Sequence, residues 1–175
     1  MSDHDSEVLG RAVDQMEALL RDVPRERLGD PTPCELWTVQ DLVDHIVAAP
    51  ARFAQMTRGE PIDWSAPPPA AGDDPARAFR SNADALLAAR HGQETPGGPP
   101  VEWQCAELAV HTWDLASALG RSTGDLDPEV AQRGLGFMRA SLTDDNRSPA
   151  FGPERQAPEG ADAYQRIAAF GGRSV

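Results

Sequence analysis

The chain has 175 residues, 40% of them hydrophobic, and a formal net charge of −12. That length suits one domain of ordinary size, and the acidic balance argues against nucleic acid and anionic membranes as partners. There is no apolar run of about 18 residues, and the acidic start MSDHDSEVLG lacks the layout of a secretion signal, so a cytoplasmic location is expected.

Apolar residues at helical spacing, from Leu9 through Val13, Met16 and Leu20, predict a first helix over about 6–23, ended at Val23-Pro24. The second has a marked start. Thr38 is a good N-cap, Asp41 sits three residues on in a capping-box spacing, and Trp37 is placed to staple onto Leu42. Val39, Leu42, Val43, Ile46, Val47 and Phe53 form its core stripe, with a kink expected at Pro50. Residues 59–75 are Pro-rich and without period, a candidate lid or tether, with Trp64 as a plug over the bundle.

A third helix follows, with Asp74 as cap and Pro75 at its first position, and it ends before Gly92. The fourth spans about 102–119 and stops at Gly120. The fifth starts at Asp127-Pro128 and runs to about 142, although Gly134 and Gly136 each cost it about 1 kcal/mol of helix propensity. Beyond Thr143 the chain is polar and carries Pro149, Pro153 and Pro158, with a short helix over about 161–170. The expected class is all-α: one domain over 1–175, four main helices in a bundle, and extra C-terminal helical segments.

Chemistry concentrates on the fourth helix. Glu107 and His111 are four apart and share one face, and Asp114 extends the stripe. A carboxylate and an imidazole turned inward are costly unless they share a partner. A divalent cation is such a partner. A third ligand should come from another helix. Of 4 histidines, His4 lies at the terminus and His91 at a helix end, which leaves His45 in the middle of the second helix. Two histidines and one carboxylate leave an open fourth position, the composition of a catalytic zinc site, where a bound water or thiol is acidified. Asp41, Asp44 or Asp114 is expected to orient an imidazole. The bland alternative is a solvated Glu–His pair with no metal. The 2 cysteines, Cys34 and Cys105, read as free, small apolar residues; Cys34, just before the second helix, carries a weaker redox reading.

The segments PTPCELWTVQDLVDHIVAAPARFA, ELAVHTWDLASALGR and AFGPERQAPEGADAYQRIAAFGGR resemble the DinB-like superfamily, and more closely its metal-binding branch related to the N-terminal domain of mycothiol-dependent maleylpyruvate isomerase. The resemblance implies an up-down-down-up four-helix bundle that holds a metal, usually zinc with nickel as another possibility, on His45, Glu107 and His111. It also implies a small thiol of the mycothiol kind as co-substrate and an electrophile as the second small molecule. With 16 basic residues that are all arginine, the chain has the look of a GC-rich, actinobacterial source. It stops too early to hold the isomerase's second domain, so maleylpyruvate is not the expected substrate. The expected function is a zinc-dependent thiol transfer, with residues 59–75 receiving the electrophile. The alternative is a non-catalytic bundle, metal-stapled or metal-free, that acts as a helical dimer or interaction module.

Overall fold

Among the described residues, six α-helices form where the apolar spacing puts them: α1 (Asp3–Arg21), α2 (Val39–Thr57), α3 (Pro75–His91), α4 (Val101–Ala118), α5 (Pro128–Ser141) and α6 (Ala163–Phe170). The structure, a computed structural model, describes residues 2–63, 66–91, 98–147 and 150–175. Trp64, Gly92 and Pro149, which the sequence reading singled out, lie outside them. Among the described residues the one bridge between extended segments pairs Pro31 with Thr38. No helix among them is long and apolar enough to cross a membrane.

Side chains that satisfy orphan N–H groups set the helix starts. Thr38 and Asp41 form the expected capping box of α2. Asp162 and Gln165 do the same for α6. α1 begins at Asp3, earlier than the apolar pattern suggests, because Ser2 and Asp5 make a further box. Asp127 caps α5, whose first residue is Pro128. α2 runs through Pro50 to Thr57 as one helix.

The layout follows from which helices touch. α1 packs on α3 and α4, and α2 packs on the same two, so the four main helices form a ring in the order α1, α3, α2, α4. α5 is added against α4 and α1, and α6 closes on α4 and α5. One contiguous core, with Leu9, Met16, Leu42, Ile46, Phe79 and Leu115 almost fully buried, fills the ring and extends under α6 through Tyr164 and Ile167. Gly134 repays its poor helix propensity by letting α5 approach α4: a Cβ there would lie 2.7 Å from the Ala106 Cα. This architecture puts α2 and α4 side by side, and α4, which has neighbours on nearly every face, buries even its polar residues.

Candidate metal centre

His45 comes from the middle of α2, and Glu107 and His111 from successive turns of α4. Where the two helices face each other, one donor atom from each of these three side chains lies within 4.8 Å of the other two. His45 Nε2 is 2.6 Å from Glu107 Oε1. His111 Nε2 is 3.5 Å from the same oxygen. The two imidazoles meet edge to face, with ring centroids 4.7 Å apart. Trp37 does more than staple the start of α2: its ring sits 4.8 Å from His45 and 6.1 Å from His111, roofing both.

The other edge of His111 meets a second set of groups. His111 Nδ1 donates to Asp114 Oδ2 at 3.1 Å. The same oxygen accepts from the Cys34 thiol at 3.0 Å and from Arg173 Nη2 at 3.1 Å. Arg173 Nε donates to Asp114 Oδ1 at 3.1 Å, and Arg173 Nη2 lies 3.4 Å from Cys34 Sγ. Cys34, His111, Asp114 and Arg173 are all buried, and Asp114 has no exposed surface. A carboxylate so enclosed is tolerable because the His111 imidazole and the Arg173 guanidinium both donate to it.

These contacts shift the titrating groups. Burial works against a charged Glu107, but the charge of His111 and the hydrogen bond from His45 outweigh it and hold the carboxyl down at about 2. Burial likewise works against a charged His111, yet Glu107, Asp114 and Cys34 together push it up to about 10. For Asp114 burial is again opposed, by His111 and Arg173, and the net direction is down. In the metal-free chain, therefore, His111 stands as a cation beside the Glu107 carboxylate, and the hydrogen bond to that carboxylate comes from His45 Nε2.

The donor set fits a divalent cation. Two imidazole nitrogens and one carboxylate oxygen converge from two helices. The carboxylate of Asp114 on Nδ1 fixes the His111 ring and keeps Nε2 aimed at Glu107, the arrangement that orients metal-ligating histidines. By contrast, the group formed by Cys34, His111 and Asp114 already contains the Arg173 guanidinium as its cation.

Three sequence expectations change. Asp41, proposed to orient an imidazole, is exposed, and its Oδ2 instead accepts from Thr38 at the cap of α2. Asp44 accepts from Gln40 and from the Ala71 backbone, which leaves Asp114 as the carboxylate at the site. Cys34 is a buried member of the charged network rather than a filler of apolar space. The sequence reading quoted the C-terminal segment only as a family likeness and gave Arg173 no role at the site.

A cavity of about 840 Å³ opens beside the cluster. His45, Glu107 and His111 line one part of it, with Cys34 and Trp37 next to them. No described residue of 59–75 lines it; residues 150–153, Arg155 and 171–173 do. That segment is fastened by backbone bonds from Gly152 N to Gly171 O and from Arg155 N to Ala169 O. Gly172 adopts φ +89 and approaches Gly152 so closely that a Cβ would lie 2.7 Å from the Gly152 Cα. This contact brings Arg173 in beside Asp114.

Comparison with known proteins adds the relatives. The mycothiol maleylpyruvate isomerase N-terminal domain family matches residues 9–116. Two uncharacterized proteins of Mycobacterium tuberculosis, from strains CDC 1551 and H37Rv, are each 35% identical over 179 residues, which covers 94% of this chain and 95% of theirs. No solved structure matches.

Proposed function

The chain belongs to the mycothiol maleylpyruvate isomerase N-terminal domain family, a DinB-like family, and from that premise we propose that it is a zinc-dependent transferase that joins a small thiol of the mycothiol kind to an electrophile. The observation that carries this reading is the convergence of His45, Glu107 and His111 donor atoms within 4.8 Å at one end of a roomy cavity.

His45, Glu107 and His111 would hold the ion and leave a position open for the thiol. Zinc, when bound, lowers the pKa of a coordinated thiol and keeps it nucleophilic at neutral pH. The remaining work belongs to the chain. Asp114 fixes the tautomer and tilt of His111. Arg173 balances the charge of Asp114, so that this carboxylate steadies the ring without taking its proton. Trp37 covers both imidazoles and excludes water from that side. The cavity has room for the reacting ends of thiol and electrophile together. In the reaction the thiol sulfur bonds to an electrophilic carbon as the bond from that carbon to a leaving group breaks; the leaving group departs with the electron pair, and the thiol proton passes to solvent.

The test has two stages. Elemental mass spectrometry of untagged protein should find about one zinc per chain, lost in both His45→Ala and His111→Ala. The zinc-loaded protein should then form thioether from mycothiol and members of an electrophile panel. A chain that takes no divalent ion even after reconstitution overturns the metal reading. A loaded chain that yields no adduct with any thiol overturns the transferase reading and leaves a metal-stapled bundle.

A further inference from the structure

The cavity has two unlike arms on a single stripe of α4. Trp103, Ala106, Glu107, Val110 and His111 follow one another along that face, and all five line the cavity. Glu107 and His111 belong to the metal cluster. One turn earlier, about 6 Å away along the axis, the stripe becomes apolar. There the Trp103 ring lies parallel to Phe137 of α5, with centroids 6.2 Å apart and planes 9° apart. Phe53, which does not line the cavity, meets Trp103 edge-on at 5.4 Å and 88° and so fixes its plane. The close approach at Gly134, one turn before Phe137, holds α5 against α4. Leu142 and Phe151 line the same cavity, Phe151 with the Arg173 guanidinium 5.6 Å over its ring.

Trp103, Phe137, Leu142 and Phe151 are each only half-buried. Their remaining surface faces a concave space and not a flat exterior. Trp37, Trp103, Phe137 and Phe151 all line it, in a chain with only 4 tryptophans and 5 phenylalanines. The charged lining residues Glu35, Glu107, Arg155 and Arg173 come from the loop before α2, the ligand turn of α4 and the C-terminal segment. A volume of about 840 Å³ is that of a small-molecule pocket.

We propose that this apolar arm is an aryl-binding subsite, built on Trp103 and Phe137, and that the electrophile taken at the metal centre is an aromatic or comparably flat apolar compound. The role of the bound compound as electrophile rests on the transferase reading; occupancy of the arm by an aryl ligand does not. Parallel rings that keep part of their surface open in the cavity lining suit a flat π-system, which gains from offset stacking beyond the burial of its area. The position of the arm one helical turn from Glu107 sets a bound ring beside the cluster.

The probe is 1-naphthol, which cannot be a substrate of the transfer, titrated into metal-free protein and followed by tryptophan fluorescence and calorimetry, with cyclohexanol as the non-aromatic control. Saturable binding with one site per chain is expected, tighter for 1-naphthol than for cyclohexanol. Phe137→Ser should weaken it about tenfold, and Phe137→Leu, a folding control that keeps the arm apolar, should weaken it less. Unchanged affinity in a folded Phe137→Ser protein overturns the assignment, as does the absence of saturable binding to the unaltered chain. A Phe137→Ser change that turns a dimer into a monomer and leaves naphthol affinity alone also overturns it, because the arm is then an interface between copies. If naphthol binds as expected and no thiol adduct forms, only the transferase reading fails.

Discussion

The two edges of His111 differ in a way that separates structure from chemistry. On the Nδ1 edge, Asp114, Cys34 and Arg173 are buried and every strong donor has an acceptor. On the Nε2 edge, the side chains of His45 and Glu107 each keep 21% of their surface exposed and lie against a cavity. The inner set already holds its cation, a guanidinium tied to the backbone at Gly171. The outer set has only the His111 imidazolium beside its carboxylate. One imidazole thus joins a permanent charge network to a replaceable one. Rigidity on the first edge is what makes selectivity on the second affordable.

If that division is right, breaking the inner edge should damage the fold and breaking the outer edge should damage ion binding. The largest effect is expected from Asp114→Ala, which leaves the Arg173 guanidinium buried and unpaired. We expect a loss of about 3–5 kcal/mol in urea unfolding. Asp114→Asn, which keeps an acceptor in place, should lose less. Arg173→Gln is the milder attack on the same edge. It should lower zinc affinity about 10- to 100-fold, the usual consequence of removing an outer partner of a ligand histidine, as read by chelator competition, and the bundle should stay folded. His45→Ala, in contrast, should abolish stoichiometric zinc while changing the melting temperature of the metal-free protein little.

The pH dependence sharpens the same comparison. His111 is raised to about 10, so its contribution to metal-free stability is full below its unfolded value near 6.5 and is lost as pH rises through 10. Glu107 is lowered to about 2, so its contribution is present above its unfolded value near 4.3 and is lost as pH falls through 2. Both are complete only between about pH 4.3 and 6.5. A bound ion must displace a proton from His111 Nε2, so zinc affinity should rise with pH across the neutral range, and calorimetry in buffers of different ionisation enthalpy should detect about one proton released per ion. Affinity independent of pH would mean that the ion does not bind at His111 Nε2.

Much of this was legible in the sequence, and the misses have physical reasons. Spacing alone put Glu107, His111 and Asp114 on one face of α4, because a helix fixes its own geometry. His45 followed from the apolar stripe of α2. The choice among Asp41, Asp44 and Asp114 could not be made, since all three are acidic residues near a histidine in sequence or in helical phase. What decides it is competition for Asp41: the cap of α2 already uses that carboxylate. Cys34 has the same letter whether it fills space or donates to a carboxylate. Arg173 lies 59 residues from Asp114 and outside any periodic segment, and residues 59–75 and 150–155 look alike as proline-bearing stretches. Only packing tells them apart.

The smallest effect is expected in the loop that joins the two edges. Cys34 and Trp37 stand on either side of Leu36, which adopts φ 70, a conformation that a leucine pays for. Leu36→Asn should stabilise the metal-free fold by up to about 1 kcal/mol and leave zinc affinity unchanged, as measured by thermal melting and the same chelator competition.

The Gly152–Gly172 contact has a consequence for the order of events in folding. Sequence separation does not order the two edges, since His45 and Glu107 are 62 residues apart and Arg173 and Asp114 are 59. What orders them is that Arg173 reaches its place only once its segment has docked with Gly172 against Gly152. The outer donors therefore meet as soon as α2 and α4 pack, while the inner network waits for the C-terminal segment to slide past Gly152 and dock. In refolding, helical signal should recover first, and tight zinc uptake should trail it as a separate, slower phase. Ion binding would then report that the last stretch of chain has reached its place.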